Sequence, residues 1–280
     1  MSQCNGFMSA NSSYQSADIV ISGYPYDGTS SYRPGSRFAP AAIREASYGL
    51  ETYSPYYDVD LTEKHIFDEG DLVLPFGNKK AVLKAIQNNT RKLLESNKKV
   101  LSLGGEHLIT YPIIQEYIKM YPDLIIIHFD AHADLRDEYL EEIESHATVM
   151  KLIYNIIGEK RIYQFGIRSG TKEEFIFSKD KCHFFPFTLN NVKEITNCIP
   201  NTTPVYITID LDVLDPSIIP GTGTPEPGGV SYNDLMYNIQ FLKGKNIVGA
   251  DVVELSPDYD DSKVSNIVAA KVVRELLLVF

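Results

Sequence analysis

Short runs rich in Val and Ile recur along the chain, separated by longer stretches in which apolar residues return every three or four positions. The first pattern predicts buried strands at residues 18–22, 99–103, 124–129, 161–166, 205–209 and 246–253, each too continuously apolar to leave one face wet. The second predicts helices at residues 40–49, 79–96, 110–120, 146–157, 232–242 and 262–278. Because strands and helices alternate, the expected fold class is α/β, a three-layer α/β/α arrangement with a mainly parallel central sheet. No repeat, low-complexity tract or Gly/Ser linker interrupts the pattern, and the connection at 214–229 is too rich in Pro and Gly to be slack. A single domain over residues 18–280 is expected, preceded by a flexible segment over residues 1–17 that is rich in Ser, Asn and Gln.

In open α/β sheets, ligands bind beyond the carboxyl ends of the strands, so polar residues there carry most information. Three predicted strand ends run into possible metal ligands: His107 after 101–104, Asp130, His132 and Asp134 after 127–129, and Asp210 and Asp212 after 207–209. Within 130–134 and 210–212 these residues fall at every second position, and in extended backbone such residues share one face. Four carboxylates at the mouth of an apolar sheet repel one another and lose solvation unless cations neutralise them, and two divalent ions balance the charge. Imidazole and carboxylate donors without thiolate favour manganese, with zinc, iron or cobalt as substitutes, over a structural zinc knot. Two such ions about 3.5–4 Å apart acidify a shared water into a nucleophile at neutral pH. Taken singly, a histidine after a strand is ordinarily a satisfied polar group and an aspartate pair caps a helix. The combination is what points to a metal centre.

Composition narrows the partners. A formal net charge of -11 and the absence of any basic block argue against a nucleic-acid phosphate backbone as partner and suit a small cationic substrate. Three cysteines without a CxxC pair offer neither a disulfide framework nor a thiolate zinc site. The N-terminus lacks the basic start and apolar run of a secretion signal, and the longest apolar runs are too short to span a bilayer. A cytoplasmic location and no membrane partner are expected.

The segments Gly104-Gly-Glu-His107, Asp130-Ala-His-Ala-Asp134, Thr208-Ile-Asp-Leu-Asp-Val-Leu-Asp-Pro216, Pro220-Gly-Thr-Gly-Thr-Pro-Glu-Pro-Gly-Gly229 and Ala250-Asp-Val-Val-Glu254 stand in one order along nearly the whole chain. In these motifs the sequence resembles the ureohydrolases of the arginase and agmatinase type, and the opening stretch 23–44 resembles that family's first motif. The resemblance implies an arginase-like fold and hydrolysis of a guanidinium group to urea and an amine at two Mn2+ ions per chain. It implies that one ion takes His107, Asp130, Asp134 and Asp210, and the other His132, Asp130, Asp210 and Asp212. It further implies that Asp134 hydrogen-bonds the bridging hydroxide, that His146 shuttles a proton to the leaving amine, and that Glu254 grips the guanidinium. A homotrimer or homohexamer is implied as well. Glu106, Leu108 and Ala147 stand where many members have Asp, Ser and Gly, and none of these departures removes a ligand. The 220–229 loop lacks the Gly-Lys-Ser/Thr ending of a phosphate-binding loop.

The substrate is read from residues 135–145, where Asp137, Glu138, Glu141, Glu142 and Glu144 face one cation, Arg136. Such a field disfavours a substrate carboxylate, so agmatine, which ends in an amine, is expected. Arg136 keeps guanidinobutyrate, arginine or formimidoylglutamate open as alternatives, since a guanidinium pairs with a carboxylate. Two other readings remain at this point: a related single-zinc amide hydrolase, and an inactive metal-binding assembly protein that keeps the fold.

Overall fold

The computed structural model describes residues 6–280. In chain order the elements are β1 (Ile19–Tyr24), α1 (Ala39–Ser47), β2 (Tyr53–Ser54), β3 (Val59–Asp60), β4 (Ile66–Asp71), α2 (Lys79–Glu95), β5 (Lys99–Gly104), α3 (Thr110–Met120), β6 (Ile125–Phe129) and α4 (Val149–Ile157). They continue with β7 (Ile162–Phe165), α5 (Lys172–Lys181), β8 (His183–Phe185), α6 (Val192–Cys198), β9 (Pro204–Asp210), α7 (Tyr232–Ile239), β10 (Asn246–Val253) and α8 (Val264–Val279). Eight strands form one sheet in the order β4-β1-β5-β10-β9-β6-β7-β8, every pairing of which is parallel, while β2 and β3 make a small antiparallel ribbon.

The continuous apolar runs are explained by burial on both faces of the sheet. Along β9, Val205, Ile207 and Ile209 pack with Ile43 of α1, Leu235 of α7 and Leu276 of α8. Tyr206 points the other way and packs with Ile86 of α2, Ile113 of α3 and Ile153 of α4. Two helical layers therefore sandwich the sheet, as the alternation of elements predicts. The expected helix 146–157 begins as a tight 3-10 turn, His146–Thr148, before α4.

Elements the pattern does not reveal are the polar or short ones. Strand β4 reads Ile-Phe-Asp-Glu-Gly-Asp and pairs only with β1 at the sheet edge. Its Asp68 accepts two hydrogen bonds from the Arg44 guanidinium, 2.8 and 2.9 Å long, so its polarity serves a buried ion pair. In α5 the apolar residues Phe175, Ile176 and Phe177 are adjacent, not spaced at helical intervals, and Ile176 faces solvent.

The N-terminal expectation is corrected over residues 6–17, while residues 1–5 lie outside the described residues. Phe7 and Met8 are buried in the core beside α1. The Phe7 N–H donates to Asp68 at 2.7 Å and the Met8 N–H to Ser47 at 2.9 Å. Two apolar residues in a polar tract make no period, yet they find a prepared hydrophobic seat.

The chain order makes a cleft at the centre of the sheet. It builds outward from β1 to β4, returns to β5, crosses to β6 and builds outward again through β7 and β8. Strands β9 and β10 then fill the middle, so β5, β10, β9 and β6 lie side by side where successive loops part in opposite directions. The Gly104-Gly105 pair lets the β5 end approach its neighbours: a Cβ on Gly105 would stand 1.8 Å from the Tyr26 carbonyl oxygen, and one on Gly104 2.5 Å from Val253 Cγ1.

Candidate active site

Three of the four central strands, β5, β6 and β9, bring the six predicted metal ligands to one place, and β10 brings Glu254 beside them. His107 sits on a 3-10 turn just after β5, with Nδ1 3.2 Å from Asp130 Oδ2, 3.2 Å from Asp134 Oδ2 and 3.5 Å from Asp210 Oδ2. His132 Nδ1 lies 3.0 Å from Asp212 Oδ2 and 3.6 Å from Asp130 Oδ1. The result is two imidazole–carboxylate groups that share Asp130. His107 and the four aspartates are buried, whereas His132 is 24% exposed on the cleft side.

Whether this cluster fits metal ions is tested by its own chemistry. His107 Nδ1 is wholly buried among three carboxylates and makes no hydrogen bond, which is the environment of a ligating nitrogen and an expensive one for an ordinary polar atom. The other ring nitrogen explains why. Thr208 Oγ1 donates to Asp251 Oδ1 at 2.6 Å, so toward His107 Nε2, 2.9 Å away, it accepts a proton. That bond places the ring proton on Nε2 and turns the Nδ1 lone pair to the cluster. His128 Nε2 lies 2.7 Å from Asp130 Oδ2 and orients the shared carboxylate in the same way.

Electrostatics point in the same direction. Burial, with Asp130 nearby, pushes Asp134 up to about 6. Burial and then Asp212 and Asp130 raise Asp210 well above the carboxylate range. Burial by itself favours neutral rings at His107 and His132, but the surrounding carboxylates drive both well above their usual value. A cluster that gathers protons against its excess negative charge is one that two divalent cations satisfy. Metal therefore competes with protons, and affinity must rise with pH as Asp134 loses its proton near 6. Metal titrations at pH 6 in buffers of different ionisation enthalpy will show proton release on binding; buffer-independent heats at pH 6 would contradict this.

Two site residues hold backbone conformations rare outside glycine. Asp134 has φ 53° and Glu254 φ 67°, and such strain persists only where surrounding contacts impose it. The Asp134 carbonyl accepts the N–H groups of Met150 and Lys151 at the start of α4. Glu254 follows β10, donates its N–H to Gly105 and accepts the His107 N–H on Oε1 at 2.6 Å. Burial, then the charge of Glu106, raises its pKa well above the usual range.

His146, Asp134 and Glu254 face a cleft of about 260 Å³ whose rim includes Ser31, Arg136 and Tyr139. Burial and the nearby His132 lower His146 to about 4, so its ring is neutral at pH 7. The five carboxylates of residues 137–144 do not line this cleft. Asp137 pairs with Lys151 at 3.0 Å, and Glu142 and Glu144 with Lys79. Three of the five carboxylates are thus drawn to two lysines and away from the cleft. Arg136 does line the cleft, but its guanidinium stacks 4.7 Å from the Tyr139 ring centre and lies 3.6 Å from Glu174.

Residues 17–279 match the family model described as Arginase family. This chain belongs to the arginase family. It is 48% identical over 276 residues to the agmatinase of Bacillus anthracis, covering 97% of this chain and 95% of that one. Among solved structures, agmatine ureohydrolase of Thermoplasma volcanium superposes with a TM-score of 0.88 at 31% identity, covering 98% of this chain and 94% of its own. Proclavaminate amidino hydrolase from Streptomyces clavuligerus gives 0.89 at 27% identity, covering 99% and 97%. Like the rest of the arginase family, this protein is a hydrolase acting on guanidino carbon–nitrogen bonds, and the family depends on paired metal ions and is usually oligomeric. Among the described residues, no helix is long and apolar enough to cross a membrane.

Some residues that brace the site of this arginase-family chain escape sequence reading. Ser102, Asp251, Thr208, His128 and Gln164 stand directly opposite one another across five strands, forming a buried polar row beneath the candidate ligands. Each interrupts an apolar run at the same pleat level, and that is the signal that would have found them. Arg168 donates to the carbonyls of Asp212 at 2.6 Å and Glu226 at 2.7 Å, tying the 220–229 loop to the turn that carries Asp212.

Proposed function

We propose that this protein is an agmatinase that hydrolyses agmatine to urea and putrescine, with Mn2+ as the paired ion. The observation that carries the reading is the pair of imidazole–carboxylate groups sharing Asp130 at the floor of a narrow cleft, with Glu254 beside them; near-full-length kinship to agmatinases supports the substrate. We assign His107, Asp130, Asp134 and Asp210 to one ion and His132, Asp130, Asp210 and Asp212 to the other. Two divalent ions there supply charge neutralisation and a water acid enough to act as a nucleophile at neutral pH.

The side chains supply the rest. Glu254 receives the guanidinium through charge-assisted hydrogen bonds, its carboxylate already oriented by the His107 N–H. Asp134 accepts a hydrogen bond from the attacking water. The water oxygen bonds to the guanidinium carbon, the bond from that carbon to the chain nitrogen breaks, and the departing nitrogen takes a proton relayed by His146. A neutral resting His146 is able to take up that proton and pass it on. The assembly is a trimer or hexamer, which molar mass by light scattering reads directly, and the acidic chain suits a cytoplasmic enzyme.

Arg136 does not redirect the site toward carboxylates, because Glu174 and the Tyr139 ring already engage its cation. In urea-release assays on manganese-loaded protein, agmatine will exceed arginine and guanidinobutyrate in kcat/KM by more than about 10²-fold, a difference of some 3 kcal/mol. Arg136→Ala will leave the agmatine value within about threefold, as loss of a rim charge does. A preference for arginine or guanidinobutyrate, lost in Arg136→Ala, would overturn the assignment.

A further inference from the structure

Glu106 is completely buried, and among the described residues it has no cationic partner. A carboxylate placed so is costly unless its oxygens are satisfied. Its oxygens are satisfied by one loop: Oε2 accepts the Thr29 N–H at 2.7 Å, Oε1 the Thr29 hydroxyl at 2.6 Å, and Oε2 the Ser30 hydroxyl at 3.5 Å. Its own N–H donates to the Tyr26 carbonyl at 2.7 Å. Glu106 is thus the fastening point for the strap that follows β1.

The same strap meets His146. Thr29 Oγ1 accepts the His146 backbone N–H at 3.1 Å and lies 3.5 Å from ring Nδ1, while Ser31 Oγ stands 3.2 Å from Nε2. The Tyr139 ring sits edge-on to the imidazole, with centroids 5.8 Å apart at 89°. A hydroxyl has one proton. Thr29 gives its proton to Glu106 in the shorter bond, so toward His146 it is only an acceptor. The Nδ1 contact is then favourable only with the ring proton on Nδ1, leaving the Nε2 lone pair toward Ser31 and the cleft.

From this geometry we infer that Glu106 is a positioning residue that acts through Thr29 to fix the tautomer and orientation of His146. The inference rests on the reading of His146 as the proton relay, and it adds the reason why one ring nitrogen faces the substrate as an acceptor. It also gives a role to the glutamate of the Gly-Gly-Glu-His segment, which is distinct from that of the adjacent ligand. Replacement of Glu106 by Gln supplies an amide N–H that turns the Thr29 hydroxyl toward Nδ1 and favours the opposite tautomer.

The test combines kinetics with ring nitrogen NMR. Thr29→Val removes the hydroxyl and keeps the shape, while Thr29→Ser keeps the hydroxyl. Thr29→Val is expected to lower kcat for agmatine by about tenfold or more, with KM within about twofold and two metal ions retained, and Thr29→Ser to recover most of the loss. In ¹⁵N-histidine-labelled, zinc-loaded wild-type protein, His146 will show a protonated Nδ1 and an unprotonated Nε2, and Glu106→Gln will shift the balance toward protonated Nε2. A protonated Nε2 in the wild type, full kcat in Thr29→Val, or equal loss in Thr29→Val and Thr29→Ser would overturn the inference. Full activity in His146→Asn would instead refute the relay reading, and the ring signals would still decide whether Glu106 and Thr29 set the tautomer.

Discussion

Asp210→Asn will lower kcat for urea release by more than about 10³-fold and leave fewer than two metal ions per chain, since an amide supplies neither the charge nor the second anionic oxygen with which Asp210, in the proposed assignment, would hold both ions. Asp210 closes β9 and reaches His107 on one side, and its Oδ1 accepts the Asp212 N–H at 2.9 Å on the other. Asparagine keeps an oxygen for that N–H, so the turn stays intact and the loss belongs to metal binding. Stability should move in the opposite direction from activity. Burial, Asp212 and Asp130 hold the Asp210 pKa well above its ordinary value without metal. Such a group binds its proton more tightly folded than unfolded, so it weakens the metal-free fold as pH rises above the unfolded carboxylate value. Asp210→Asn removes that cost, and its metal-free form should melt higher than wild type at pH 8, with the gap closing toward pH 4. A metal-free melting temperature lower than wild type at pH 8 would count against the cluster as described.

Glu254→Gln produces a different pattern, a fall in kcat/KM for agmatine of about 10²-fold with both metal ions retained. The glutamine oxygen still accepts the His107 N–H that Glu254 Oε1 receives at 2.6 Å, so the ligand turn holds its place. What disappears is the charge in the guanidinium contact proposed for Glu254, and two charge-assisted hydrogen bonds reduced to neutral ones would account for about 3 kcal/mol. Kinetics together with metal analysis by mass spectrometry separate the cases. A loss below about threefold with full metal would remove Glu254 from substrate binding, and a loss accompanied by metal depletion would make it part of the metal centre.

The contrast between these two residues shows what is legible in a single sequence. Asp130, His132, Asp134, Asp210 and Asp212 stand out because they alternate at the ends of apolar runs, and strand geometry turns that alternation into convergence. Strands β1, β5, β6, β7, β9 and β10 are legible for a related reason: both faces are buried, so the runs are unbroken. Strand β4 is hidden because Asp68 and Asp71 are engaged by Arg44. Helix α5 is hidden because its apolar residues are contiguous.

Tertiary contacts decide what remains. Nothing local distinguishes Asp137, Glu142 and Glu144 as partners of Lys151 and Lys79 from charges aimed at a substrate, since the lysines lie on α4 and α2. The row Ser102, Asp251, Thr208, His128 and Gln164 is invisible until strand order sets the residues side by side, because β5 and β10 are neighbours in space only. Thr29 and Glu106 meet across 77 residues of chain. The segments that carry the candidate ligands are thus read locally, while the groups that orient them require the fold.

The most direct test of the two-ion centre is a titration of metal-free protein with Mn2+ while urea release from agmatine is followed. Activity should appear chiefly with the second equivalent and level off at two ions per chain, in step with binding measured by equilibrium dialysis. Saturation of both binding and activity at one ion per chain, or no urea from agmatine with two ions bound, would contradict it.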